Sequence, residues 1–178
     1  MNTSYVALLR GINVGTAKRI AMADLRAAVE AAGARDVRTL LNSGNVVFTS
    51  PKPLAGAALQ KVIASRTGVD ARVTVLTAAQ FDVVVAENPL LTIADDPTRL
   101  LVHLPATPAA LSALAPIAAQ DWTPELLVNA SHAAYSWSPD GLTAGHLFEQ
   151  INKVCKDTTT ARNWATISKL HEMLSKSI

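Results

Sequence analysis

An α+β fold of duplicated ferredoxin-like halves, each a split β-α-β unit, with a C-terminal helix is predicted by three observations on the 178-residue sequence. Residues 1–76 alternate apolar runs of strand length with helical spacings, in the order strand, helix, strand, strand, helix, strand, which is that of the split unit. Residues 99–155 repeat this order in outline as strand, helix, strand, strand, helix, although side-by-side identity is slight. Turn residues punctuate the runs at almost every step.

Taken in order, residues 5–9 (YVALL) form the first strand, and Met22, Leu25 and Val29 recur at helical spacing after it. Between them lies a polar hinge. There Gly11 and Gly15 permit positive φ or close approach of a ligand, while Arg10, Asn13, Lys18 and Arg19 supply donors and charge ahead of a helix N-terminus. Gly33 caps that helix, residues 37–41 form a second strand, and Asn42-Ser43-Gly44-Asn45 turns the chain into a third at 46–49. Pro51 and Pro53 introduce a helix with Leu59, Val62 and Ile63 toward a core; Gly68 ends it, and Val73 and Val75 alternate in a fourth strand.

This order has a spatial consequence. A right-handed crossover makes the first two strands parallel, so residues 10–19 and 42–45 are expected to be neighbours at one edge of the sheet.

Thr77 with Gln80 three residues on is a capping-box pattern, followed by Phe81, Val84 and Val85 on an apolar face, and Asn88-Pro89 stops that helix. Residues 99–104 alternate as a strand with Leu100, Val102 and Leu104 on one side and His103 read as an outward polar position. Thr107-Pro108 opens a helix bearing Leu111 and Leu114. Residues 126–128 and 133–137 form a strand pair turning at 129–132, and Pro139-Asp140-Gly141 is a turn. A final helix is read from Thr159 or Thr160, with Trp164, Ile167, Leu170 and Leu174 as its apolar stripe. Arg162, Thr166 and Lys169 are placed on one line of another face, with Arg162 against the helix dipole in the first turn and so in need of a partner. The expected division is 1–76 and 99–155 as the two halves, 77–98 as connecting helix and loop, and 156–178 as the C-terminal helix.

Composition bounds the function. A hydrophobic share of 49% with 17% charged residues describes a globular chain, and 4% aromatics supply few stacking platforms for single-stranded nucleic acid. No apolar run approaches the roughly 20 residues of a membrane span, and MNTSYVALLRG lacks a charged leader, so the chain is read as cytoplasmic with no membrane partner. The net charge of +2 is uneven: +6 over residues 1–76, −7 over 77–150 and +3 over 151–178. Such a distribution suits docking of complementary pieces or basic ends that share an anion.

Catalytic patterns are scarce. His103, His132, His146 and His171 show no metal-ligand spacing, and no G-x-S-x-G elbow occurs. Cys155 lacks a neighbouring histidine and reads as a small buried hydrophobe. Gly11 and Gly15 give G-x-x-x-G without a following Gly-Lys-Ser/Thr, matching neither dinucleotide nor P-loop patterns.

The segments RGINVG, DLR, NSGNVVFTS, ENP and TTARNWATISKL together resemble the family called domain of unknown function 1697, a group of uncharacterised bacterial proteins, over essentially the full chain. Thr16 and Ala17 stand where that family usually continues with Gly and Lys, and Ala161 interrupts the usual Thr-Thr-Arg-Asn-Trp. The resemblance implies duplicated ferredoxin-like halves and no established reaction, ligand or partner.

The resulting expectation is a binding module for a small anionic ligand, a nucleotide or phosphorylated metabolite, in a cleft between halves. Its receiving groups are Arg10, Gly11, Asn13, Gly15, Lys18, Asn42, Gly44, Asn45, Arg162, Asn163 and Lys169, with no metal and no cofactor. A nucleic-acid partner using the basic termini and an enzyme of unassigned chemistry are the alternatives. The structural alternative has Arg10 and Asn13 tying down the long loop, with Asn42, Gly44 and Asn45 serving the turn.

Overall fold

The computed structural model describes residues 2–176, so positions 1 and 177–178, at the limits of the first and last expected segments, lie outside it. It divides into two compact units, Met1–Phe81 with Leu170–Ile178, and Asp82–Lys169.

Unit 1 contains β1 (Thr3–Leu9), α1 (Met22–Ala31), β2 (Arg35–Leu40), β3 (Asn45–Ser50), α2 (Gly56–Thr67) and β4 (Val73–Thr77). Its sheet has the order β2-β3-β1-β4 with every neighbour antiparallel. Alternate residues of β1, Tyr5, Ala7 and Leu9, meet Val46, Phe48 and Val73 under Leu25 and Val29 of α1 and Leu59 and Ile63 of α2. Burying each large aliphatic side chain contributes about 1.5–3 kcal/mol. Val6 and Leu8 on the other face of β1 are also fully buried, which explains an unbroken apolar run where a half-exposed strand would alternate. Part of that face belongs to the chain's C-terminal segment, since Arg38 donates to the Met173 carbonyl at 2.9 Å.

Unit 2 carries β5 (Leu100–Pro105), α4 (Pro108–Ala118), β6 (Leu126–Asn129), β7 (Ala134–Trp137), α5 (Leu147–Cys155) and β8 (Thr159–Asn163). The division falls within α3 (Ala78–Ala86) and α6 (Trp164–Ser175). The second sheet, β6-β7-β5-β8, is again antiparallel throughout and has the same connectivity as the first. Leu111, Leu114 and Ile117 of α4 and Leu147, Ile151 and Cys155 of α5 pack on Leu127 and Ala134.

Several local expectations hold in detail. Thr77 and Gln80 form the reciprocal capping box, with Thr77 N–H donating to Gln80 Oε1 at 2.9 Å and Gln80 N–H to Thr77 Oγ1 at 3.2 Å. Gly68 takes the left-handed cap of α2. Among the described residues no helix is long and apolar enough to cross a membrane.

Two expectations are corrected. Residues 159–163, read as the start of the last helix, form β8, the fourth strand of the second sheet, with Arg162 opposite Val102 and Ala161 opposite His103. The open edge of β5 competes for this segment, and its paired β-branched threonines suit a strand. The helix starts at Trp164 because Asn163 Oδ1 accepts the Thr166 N–H at 2.9 Å, so Arg162 neither sits in a first helical turn nor lines up with Thr166 and Lys169. His103 is the second correction. It is 1% exposed and hydrogen-bonded through Nε2 to Ser136 Oγ at 2.8 Å, because its register partner Ala134 lies on the face that α4 and α5 cover. Val62, Val85 and Trp164 are half-buried.

Candidate functional site

The β1–α1 loop and the β2–β3 hairpin leave the first sheet at the same edge, as parallel β1 and β2 require. Asn13 joins them. Its Nδ2 donates to the carbonyls of Ile20 at 3.0 Å and Asn42 at 2.7 Å, while Oδ1 accepts from the Ile20 N–H at 2.9 Å. Its own backbone N–H donates to Lys18 O at 3.0 Å, at a φ of +55° that asparagine tolerates better than most residues. One side chain thus closes the loop at its base and fastens it to the hairpin.

The hairpin approaches β1 closely, with Leu9 N–H bonded to Gly44 O at 2.9 Å. A Cβ at Gly44 would lie 2.7 Å from Leu9 Cβ, and the residue holds φ +82°, so glycine is required both by space and by conformation. Asn45 is fully buried and donates to Leu40 O and Ser43 Oγ, both at 2.9 Å, holding the turn from within. Asn42 contributes its carbonyl to Asn13. Asn13, Asn42, Gly44 and Asn45 therefore have structural work to do irrespective of any ligand.

What they hold outward is cationic. Residues 14–19 are exposed, and among the described residues neither Lys18 nor Arg19 forms an ion pair. Lys18 has φ +50°, and space stands open over Gly11 and Gly15. Arg10, half-buried, donates its N–H to Arg72 O at 2.9 Å. The first turn of α1, following Arg19 by three residues, has Ala21 at its N-cap and no side-chain cap; Asp24 is the acid within it. Amides at such a terminus favour an anion.

Arg162, Asn163 and Lys169 belong to unit 2. Arg162 donates to the Ala161 carbonyl at 2.9 Å, Asn163 caps α6, and Lys169 is exposed on that helix.

Unit 2 holds polar centres that sequence spacing does not show. Glu125, 7% exposed, accepts from Ser138 Oγ at 2.8 Å and from the His146 and Leu147 N–H groups at 3.2 Å, so its carboxylate caps α5. A Cβ at Gly145 would fall 2.0 Å from Glu125 Oε2. Glu87 Oε1 accepts from the N–H groups of His132 and Ala133, at 2.9 and 3.1 Å, and Oε2 faces His132 Nδ1 at 3.1 Å. Tyr135 donates to Val84 O at 2.6 Å, and burial, with the Glu87 carboxylate beside it, raises the phenol well above its ordinary range. These partners lie 13 to 51 residues apart in the chain, which is why no local motif announced them. No group of three or more His, Cys, Asp or Glu among the described residues could hold a metal ion.

A cavity of about 310 Å³ in unit 2 is lined by Asp121, Trp122, Pro124, Asp140 and Ala144, with Glu125 at its wall. Trp122 is oriented by its Nε1–H bond to Ile117 O at 2.8 Å, and Asp121 Oδ1 accepts from both Thr123 N and Oγ1, which holds its carboxyl below the usual value.

The model of a family described as protein of unknown function (DUF1697) matches residues 1–135. The solved structure of a conserved bacterial protein from Streptococcus pneumoniae resembles this chain with a TM-score of 0.81 at 24% identity, covering 98% of this chain and 99% of that one. At that identity the likeness is one of fold. Comparison with curated proteins finds no match.

Proposed function

Because the chain belongs to the DUF1697 family, which has no assigned chemistry, its role is argued from its own residues, and we propose that it is a binding module for a small phosphorylated ligand. The receiving edge is the β1–α1 loop, with Arg10, Lys18 and Arg19 as cations and the open backbone at Gly11 and Gly15 as the cradle. The observation that carries this reading is the division of labour in the loop. Asn13 commits its whole amide to fixing the base, while the cationic tip beside an uncapped helix start is left exposed. Preorganising the receiving groups lowers the ordering entropy that binding must offset. Arg162 and Lys169 are the cations of unit 2 assigned to the same ligand class.

Thermal denaturation with inorganic phosphate, a nucleoside diphosphate and a sugar phosphate tests the proposal. The midpoint should rise with ligand concentration, corresponding to about 2.7 kcal/mol at a hundredfold excess over Kd. Lys18→Ala with Arg19→Ala should remove the response and leave the ligand-free midpoint nearly unchanged, since both side chains are exposed. No shift with any of the three ligands overturns the reading. Tight binding of an oligonucleotide whose affinity falls steeply with salt would instead favour the nucleic-acid alternative.

A further inference from the structure

We propose that the chain associates with a second copy of itself head to tail, the Val14–Leu41 tip of unit 1 in one copy seating in the acidic hollow of unit 2 in the other. The contact goes beyond anion binding, because aliphatic side chains carry it. Val14 is 72% and Leu41 62% exposed, the two highest values among the large exposed hydrophobics of the described residues. Each is the chain neighbour of a partner in the Asn13–Asn42 hydrogen bond, so both belong to the two loops that this bond joins. Leu41 also holds φ +57°, a left-handed conformation that Asn or Gly would adopt with less strain. The tip therefore carries both unrelieved backbone strain and apolar surface in water, a combination that a docked partner would make use of.

The second copy is favoured over other occupants by sign of charge, since one chain carries both halves of the match. Unit 1 has eleven Lys and Arg against five Asp and Glu, a net +6, and unit 2 has five against nine, a net −4. Residues 14–19 of the tip are all exposed, Lys18 and Arg19 among them. The hollow, about 310 Å³, is lined by half-buried Trp122 and by Pro124 and Ala144, together with the exposed carboxylates Asp121 and Asp140. Glu125 is occupied by Ser138 and α5, so the two aspartates are the carboxylates that answer the cations. Two different patches meeting in this way make a heterologous contact, which closes into a ring or extends as a chain. With two aliphatic side chains at its centre the contact belongs to the small, weak class of interface.

Sedimentation velocity on the full chain from about 10 to 500 µM tests this, at low and at high salt. The expected result is a mean mass that climbs with concentration and climbs less in high salt. Leu41→Asp, which suits the left-handed backbone, should weaken association at least tenfold while circular dichroism shows an intact fold. Lys18→Glu with Arg19→Glu in one protein, and Asp140→Lys in another, should each stay monomeric alone. Mixed, they should form a one-to-one complex, because the intact tip of one meets the intact hollow of the other. A monomer at every concentration overturns the proposal, as does association that survives Leu41→Asp or a mixture that stays monomeric. The outcome is separable from the anion-binding reading, since Leu41→Asp leaves Lys18 and Arg19 in place and should leave the phosphate-induced thermal shift intact.

Discussion

At Leu41 the backbone and the side chain disagree with the local environment: φ is +57° and the side chain is 62% exposed. Leucine in the left-handed region costs roughly 1–2 kcal/mol relative to an unstrained conformation, and asparagine bears it better. Leu41→Asn is therefore expected to raise stability by about 1 kcal/mol, read as a higher urea midpoint at unchanged slope. A lower midpoint would show that the leucine makes a stabilising contact within the chain. Gly44, three residues on, is the opposite case, where conformation and close packing against Leu9 agree on glycine. The Asn-Ser-Gly-Asn string announces a turn at these positions, but nothing local announces that an exposed leucine occupies a left-handed site beside it.

Helix ends decide more than helix interiors do. Asn163, a candidate ligand group, accepts the Thr166 N–H at the start of α6 through its side chain. Asn163→Ala should then cost about 1 kcal/mol of stability in urea denaturation, and Asn163→Asp, which keeps the accepting oxygen, should recover most of it. Full stability in the alanine variant would dismiss the cap. The same reasoning explains why residues 159–163, whose pattern reads as helix, form a strand. Helical spacing of Trp164, Ile167, Leu170 and Leu174 is real, with Ile167 and Leu170 fully buried, but periodicity marks a helix without marking where it begins. The boundary is settled by β5, whose open edge takes Thr159–Asn163 as a strand. By contrast Thr77 and Gln80 cap α3 as their three-residue spacing announces, because that signal needs no distant partner.

For the whole molecule, pH dependence has two limbs. Asp96 and Asp121, each accepting from a threonine hydroxyl and N–H two residues on, have carboxyls held below the usual value of 3.8. Their contribution is present above 3.8 and is lost as pH falls through the lowered values. Tyr135 has the opposite sign: burial and then Glu87 raise its phenol above the ordinary 10.0, so that contribution is complete below 10 and is lost as pH rises through the raised value. Urea midpoints followed from pH 3 to 11 should decline at both ends. Tyr135→Phe should lower the midpoint at pH 7, through loss of the bond to Val84 O, yet flatten the decline above pH 10. An alkaline limb as steep as before would remove Tyr135 from the account.

Most of the element order could be read from the chain itself, because strand runs, helical spacing and turn residues are properties of neighbouring positions. The adjacency of residues 10–19 and 42–45 was legible too, since the handedness of one crossover entails it, and Asn13 bonded to Asn42 is the result. Tertiary structure alone decided the rest. It drew Thr159–Asn163 into a sheet, buried His103 on Ser136 and set Glu125 against α5, each through partners that spacing along a chain does not bring together. It also gave Asn13, Asn45 and Asn163 hydrogen bonds within the chain, because a buried or half-buried amide must find partners, and in a folded chain the groups within reach supply them first.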